Sequence, residues 1–336
     1  MNSETTNVTN SSNVNGRKEI IIEKATTSDI DQLVNLINSG TTSKFYRVND
    51  VDIRILLTIG TCQIYVCRYS QTRNIIACFA LTKQSAAQYY IGCGAAIRCA
   101  TTTNYEALQM LVRAVFADAS QEDDSRFLVD ESAHQLITQV QMVPNDSLIL
   151  SNKTKWGCDI WRGLPIVANI DMPHNYQRYH VCHAQISRLQ EFAAFDTKIT
   201  KLKRVSWLKK MRDHSNTMIP GSVALILTYQ LCPDIIGYGF IRPGKDGIAN
   251  LGPLYATSPI VARMLFRALI GSFRSARDVG LCVYASSCNQ HIVELCKEVG
   301  LSYFGHSDVY GQLHEPLIPN RESIYCYSNT EPGIDL

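Results

Sequence analysis

One order of elements runs twice along this chain: β-α-α-β-β-β-α-β-α-β-β. In the first pass KEIIIEKAT alternates as a strand does. Ser28 and Asp29 cap DIDQLVNLINSG, Gly40 stops it, and VNDVDIRILLTIG follows as a short helix. CQIYVCRY and NIIACFAL are β-branched, aromatic strands around the turn SQTRN, and QYYIGCGAAI is a third. YEALQMLVRAVFADA carries Leu108, Leu111, Val112, Val115 and Phe116 at helical spacing. SRFLVDES, AHQLITQVQMV, SLILS and PIVANI then read as strand, helix, strand, strand. The second pass begins with HVCHAQIS. It continues through helices RLQEFAAFD and VSWLKKMRDH to strands SVALILTYQ, DIIGYGFIRPG and GIANLGPLYA. The long helix PIVARMLFRALIGSFRSA, strand GLCVYAS and helix QHIVELCKEVG follow, and SYFGHSDVYG with SIYCYSN closes the pass. The order predicts two mixed α/β domains, each with antiparallel strands followed by a β-α-β crossover between parallel strands. The boundary falls near Met172-Pro173-His174-Asn175, so the domains are 17–172 and 173–336 behind a polar tail, 1–16.

Composition supports that division. The chain has 336 residues, enough for two domains, and 46% of them are hydrophobic. The tail MNSETTNVTNSSNVNG has almost nothing to bury and lacks the basic start and apolar core of a signal peptide. The glycosylation-type triplets at Asn7 and Asn10 are therefore read as chance. No apolar run approaches the ~20 residues that span a bilayer. A net charge of +2 offers no general attraction for nucleic acid or acidic lipid. Of twelve cysteines, Cys62, Cys67, Cys78, Cys93, Cys282 and Cys326 lie in apolar strand-like runs, which reads as reduced core packing in the cytoplasm. His180 and His183 beside Cys182 are the only metal-like cluster, but on a strand positions three apart face opposite ways, so no metal is expected.

Several residue runs resemble the GNAT acyltransferase superfamily, and the chain looks like its tandem members, in which a second, divergent acetyltransferase-like domain follows the first. The resemblance is clearest from Phe192 to Gly333. It is carried by EFAAFDTKITKLKRVSWLKKM with Phe195-Asp196 and Arg204 to Leu208, by DIIGYGFIRPG with LGPLYATSPIVARMLFRAL, and by VYASSCNQHIVELCKEVGLSYFG. The first half resembles such a domain in topology alone. The fold implied is a pair of tandem acyl-CoA N-acyltransferase folds. The function implied is transfer of an acetyl group from acetyl-CoA to a primary amine of a small acceptor. No metal, nucleic acid or membrane is implied. The alternative is a catalytically inactive module of the same fold that binds a ligand or a protein.

In such folds the cofactor's pantetheine arm pairs like a strand where the fourth and fifth strands splay, and its pyrophosphate sits on the amino end of the helix between them. In the second half the resemblance assigns Leu254, Tyr255 and Ala256 to the strand. It assigns Ser258, Ile260, Val261, Ala262 and Arg263 to the helix start, and Asn289 to the arm. In the first half Arg98, Thr101 and Thr103 take the corresponding places, with threonines where the family carries glycines. ATSPIVAR also lacks the family's glycines, and Cys296 stands where a proton-donating Tyr is common. Glu131 and His134, at a strand end and helix start, are the candidate bases, weighed against helix capping. Cys288 and His291 as a thiol-nucleophile pair lack an orienting partner. KLKRVSWLKKMR is read as an amphipathic helix with a basic outer face, which can also rest on phosphate.

Overall fold

A computed structural model describes residues 19–39, 48–85, 88–96, 102–119, 126–140, 154–172, 174, 176–213, 222–230, 232–311 and 321–328. The chain divides into two compact units. The first comprises residues 1–46, 56–153 and 310–312, and the second comprises 47–55, 154–309 and 313–336.

In the first unit, β1 (Ile20–Lys24), β2 (Cys62–Tyr69), β3 (Ile75–Ser85) and β4 (Gln88–Ala96) form an antiparallel run. Helix α1 (Ile30–Ser39) follows β1, and α2 (Asp50–Thr58) precedes β2, its residues through Ile55 counting with the second unit. Helix α3 (Thr102–Ala119) then crosses to β5 (Arg126–Asp130), which is parallel to β4. Helix α4 (Glu131–Gln139) starts at the next residue. Leu108, Leu111, Val112, Val115 and Phe116 of α3 are all buried against the sheet, as their spacing predicts. Each such side chain contributes about 1.5–3 kcal/mol on leaving water.

The second unit contains β6 (Thr154–Gly163), β7 (Tyr179–His183), α5 (Leu189–Thr200), α6 (Val205–Asp213), β8 (Val223–Tyr229), β9 (Cys232–Pro243) and β10 (Ala249–Ala256). It continues with α7 (Pro259–Ser272), α8 (Arg274–Asp278), β11 (Leu281–Ser286), α9 (Gln290–Glu298), β12 (Ser302–Gly311) and β13 (Ile324–Tyr327). Its strand order is β12-β6-β11-β13-β10-β9-β8-β7. Ser258 caps α7 by accepting from the Val261 N–H at 3.4 Å, and Pro259 fills the first helical position, where its missing N–H costs nothing. Val261, Leu265 and Leu269 face the sheet, and α7 lies over β8, β9 and β10. Gly237 allows this approach, because a Cβ there would stand 2.6 Å from Val261 Cγ1.

Two expectations are corrected here. PIVANI is not a strand but a 3-10 turn at Val167–Asn169, and the strand of this stretch is β6, TKWGCDIWRG. β6 pairs antiparallel with β11 from Leu281↔Gly163 to Ser286↔Cys158. Residues 154–172, with β6 among them, are grouped with the second compact unit. The partner lies more than a hundred residues away, beyond the reach of any local pattern. The long predicted helix also breaks at Phe273, which sits in an extended conformation between α7 and α8. The expected strand SLILS lies outside the described residues.

Candidate active site

The crossover β10-α7-β11 is where the resemblance implies a cofactor cleft. β10 and β11 pair in parallel over three positions, Ala249↔Leu281 to Leu251↔Val283, and then separate. The separation begins at a bulge between Leu251 and Leu254. The space beyond it holds β13. On one side Leu254 faces Cys326 and Tyr255 faces Ile324, and on the other Tyr284 faces Tyr327 and Ala285 faces Cys326, both antiparallel. Asn289 sits at the N-cap position of α9, but its side chain does not cap. Its Nδ2 donates to the carbonyls of Glu322 at 2.9 Å and Ile324 at 3.0 Å.

The other sequence-derived residues of this unit divide between core and surface. Leu254, Tyr255, Ala256, Val261 and Ala262 are buried, and Ile260 is exposed. The Arg263 guanidinium pairs with the Glu298 carboxylate of α9. Cys296 lies fully buried among apolar side chains, and burial pushes its thiol above the ordinary range, which makes it a reluctant proton donor. Cys288 is exposed, and His291 stands 4.0 Å from Glu294 on the open face of α9. Cys62, Cys67, Cys78, Cys282 and Cys326 are buried free thiols, while Cys182 is exposed. Among the described residues no group of three or more His, Cys, Asp and Glu is arranged to hold a metal.

In the first unit β4 and β5 pair in parallel from Gln88↔Arg126 to Ile91↔Val129. β4 then runs on to Ala96 with β3 on one side and, among the described residues, no strand on the side β5 has left. Helix α4 packs beside it. Thr103 is in the first turn of α3, whereas Arg98 and Thr101 lie outside the described residues. Asp130 is the cap of α4, accepting from the Ala133 N–H and the Ser132 hydroxyl, each at 2.7 Å. Capping therefore falls to Asp130 and leaves Glu131 as a half-buried first-turn residue, which accepts from Gln135 Nε2 at 3.1 Å. His134 stacks on Tyr310 with ring centroids 3.9 Å apart, and burial lowers its pKa, so its imidazole is neutral at physiological pH.

Two polar clusters were not singled out as sites. Arg204 forms two hydrogen bonds to the Asp196 carboxylate, Nε to Oδ2 at 2.9 Å and Nη2 to Oδ1 at 2.7 Å. Nη2 also reaches the Tyr255 hydroxyl at 3.2 Å, and the Tyr238 hydroxyl donates to Asp196. Asp196 is 0% and Arg204 8% exposed. Both residues lie in the run EFAAFDTKITKLKRVSWLKKM, and no local pattern in it joins them.

The second cluster holds His306 between Asp159, 2.7 Å from Nδ1, and Asp308, 3.0 Å from Nε2. Burial works against the charge on this ring, but the two carboxylates outweigh it and raise the pKa. A raised native pKa stabilises the fold fully below the unfolded value of about 6.5, and that stabilisation is lost as pH rises through the native value. Thermal melts of the wild type between pH 5 and 9, compared with His306→Gln, are expected to differ most at the acid end and converge at the alkaline end. A constant difference across the range would show that the pairs carry no charge-dependent stability.

Comparison with known proteins decides the family of the second crossover. Residues 216–325 match the family model described as Acetyltransferase (GNAT) domain. This stretch is a GNAT domain. The match takes in about a third of the chain. A protein assigned as an acetyltransferase from Pyrococcus horikoshii superposes with a TM-score of 0.63 at 16% identity, over 97% of this chain and 100% of that one. A tandem GNAT protein from the clavulanic acid biosynthesis pathway gives 0.60 at 9% identity, over 88% of this chain and 98% of that one. N-myristoyltransferase from Saccharomyces cerevisiae, with bound myristoyl-CoA, gives 0.58 at 9% identity, over 89% and 79%. No curated protein matches the sequence. At these identities the likeness is one of fold, and the fold is that of tandem GNAT proteins. It is a scaffold that supports acyl transfer. No helix among the described residues is long and apolar enough to cross a membrane.

Proposed function

We propose that this protein is an N-acyltransferase that moves an acetyl group from acetyl-CoA to a primary amine of a small acceptor, and that the first unit is its working half. One observation carries the assignment to a half. Among the described residues no strand pairs with β4 beyond Ile91, where β5 ends, whereas the space between β10 and β11 is filled by β13. Acyl-CoA, when bound, supplies an activated thioester. The residues of this chain do the rest. The edge of β4 from Gly92 to Ala96 offers main-chain groups to an extended arm. The amino end of α3, with Thr103 in its first turn and Arg98 and Thr101 before it, suits a pyrophosphate. An alkyl amine has a pKa near ~10 and must lose a proton before it can attack. Glu131 and the neutral His134, in α4 just past the end of β5, are the groups suited to accept it.

Titration calorimetry with acetyl-CoA tests the reading. Saturable binding is expected below about 1 mM, the upper end of ordinary Michaelis constants. Arg98→Glu is expected to weaken it by about tenfold or more, the worth of a charge-assisted phosphate contact. Arg263→Glu is expected to leave it unchanged, since Arg263 is engaged by Glu298. Absence of binding at millimolar cofactor sinks the proposal, and the reverse pattern of the two variants moves the site to the second unit.

A second reading, a catalytically inactive GNAT-fold module, is favoured by the filled cleft of the second unit and by the threonines that replace glycines in the first. Acetyl-CoA binding with no release of free CoA across a panel of small amines would select it.

A further inference from the structure

We infer that β13 is a built-in plug of the second unit, an intramolecular strand seated in the cleft that GNAT folds give to the cofactor's extended arm, so that this unit takes no acyl-CoA while β13 is in place. The inference rests on the reading of the fold as an acyl-CoA scaffold and goes beyond it by naming what fills one of its two clefts.

The seat is built from both walls. An extended arm entering here needs the main-chain edge of β10 after its bulge, and Leu254 and Tyr255 already pair with Cys326 and Ile324. The opposite wall, Tyr284 and Ala285, pairs with Tyr327 and Cys326. No main-chain edge is left between β10 and β11 at these positions for a second extended chain. Side chains hold the strand along its length. Asn289 binds the carbonyls of Glu322 and Ile324 at its start. The Ser286 and Tyr327 hydroxyls share a hydrogen bond of 3.1 Å near its end. Arg242, itself paired with Asp52, donates to the Ser328 hydroxyl at 3.3 Å just past that end. Ile324, Tyr325, Cys326 and Tyr327 are each at most 6% exposed.

Asn289 is thus turned from the cofactor role that the resemblance implies to gripping the chain's own backbone. Gly252 completes the fit. Its φ of +145° is one that side-chain-bearing residues rarely adopt, and a Cβ on it would run into the Tyr327 carbonyl. The bulge, the glycine, the asparagine and the arginine all serve a strand that arrives from the far end of the sequence.

Hydrogen–deuterium exchange on the full-length protein, with and without coenzyme A, tests this. The amides of residues 324–327 are expected among the slowest in the second unit, unchanged by coenzyme A, as are those of 254–263. Cofactor-dependent protection is expected only in the first unit, around 91–96 and 102–106. Loop-like exchange of 324–327, or release of these amides by coenzyme A together with protection of 254–263, overturns the plug. Slow β13 amides with no protection by coenzyme A anywhere support the plug and remove the enzyme reading instead, so the two failures are distinct. Asn289→Ala is expected to speed exchange of 324–327 by about tenfold, through loss of two buried hydrogen bonds, without speeding that of β8 and β9. An unchanged rate in a folded variant counts against the seat described here.

Discussion

Asp196→Ala is expected to remove about 3–5 kcal/mol from the second unit, the cost of leaving a buried guanidinium without its partner. Arg204 has nowhere to go. It is 8% exposed, its guanidinium stacks 4.4 Å from the Trp207 ring centroid, and two of its nitrogens are committed to the lost carboxylate. The Tyr238 hydroxyl loses its acceptor in the same step. Phe192, Tyr238, Phe240 and Tyr255 pack edge to face around the pair, with the Phe192 and Tyr238 centroids 4.5 Å apart, so water has no easy entry to replace the carboxylate. Such a loss is a large share of the 5–15 kcal/mol that holds a typical domain folded. Urea unfolding followed by the fluorescence of the buried Trp207 measures it. A shift equivalent to less than about 1 kcal/mol, the usual worth of an exposed pair, would show that the pair is solvated in solution. The double variant Asp196→Leu with Arg204→Met is expected to recover much of the loss, because the desolvation cost then leaves with the charges.

Gly252→Ala is the second large effect. The backbone there has a φ of +145°, and holding alanine in it costs about 1–3 kcal/mol before any contact is counted. The added Cβ also meets backbone, not a flexible side chain. It would lie 2.8 Å from the Tyr327 carbonyl carbon and closer still to its oxygen. The strand has to shift, and Cys326, now 0% exposed between β10 and β11, has to open with it. The expected result is a lower urea midpoint together with labelling of Cys326 by a thiol reagent, found by peptide mapping. Buried thiols are inert to such reagents, so Cys326 of the wild type stays unlabelled. An unchanged midpoint with Cys326 still protected would mean that β13 does not depend on a bare backbone at this position.

The two variants probe features that were visible in the sequence to different degrees. Asp196 and Arg204 both stood in runs that carried the family resemblance, eight residues apart, yet no local rule joins a helix residue to the segment before the next helix. Gly252 was one glycine among nineteen. The space that a side chain on it would need is taken by the Tyr327 carbonyl, seventy-five residues downstream. The α7 segment shows the opposite case. Ser258, Pro259 and the spacing Val261, Leu265, Leu269 specify a capped helix with one buried face, and that is the helix observed.

The candidate site was legible in the same uneven way. The β-α-β crossovers, the helix start at Ser258 and the turn from β5 into α4 were all written in local signals, and they brought the reading to the correct fold. The occupant of the second cleft was not. SIYCYSN announced itself as a strand through its aromatic and β-branched residues, but nothing in it says which pair of strands it enters. The same holds for TKWGCDIWRG, whose partner β11 lies more than a hundred residues away. Glu131 was expected at a strand end with His134 opening the helix; the helix instead begins at Glu131 itself, and the capping bond belongs to its neighbour Asp130.

The sequence by itself determined the elements and their order. Helical spacing, alternation, caps and turn residues act within a few positions of one another, and those short-range forces are the same wherever the segment ends up. It also determined, through residues 216–325, that the second half carries a GNAT domain. The tertiary structure alone decided where β6 and β13 pair, and so that β13 fills the space between β10 and β11 while, among the described residues, no strand lines β4 beyond Ile91. Strand pairing is settled by main-chain hydrogen bonds and burial between segments far apart in the chain. A strand's own residues fix that it will pair, while its partner is fixed by which edge the completed fold leaves unfilled.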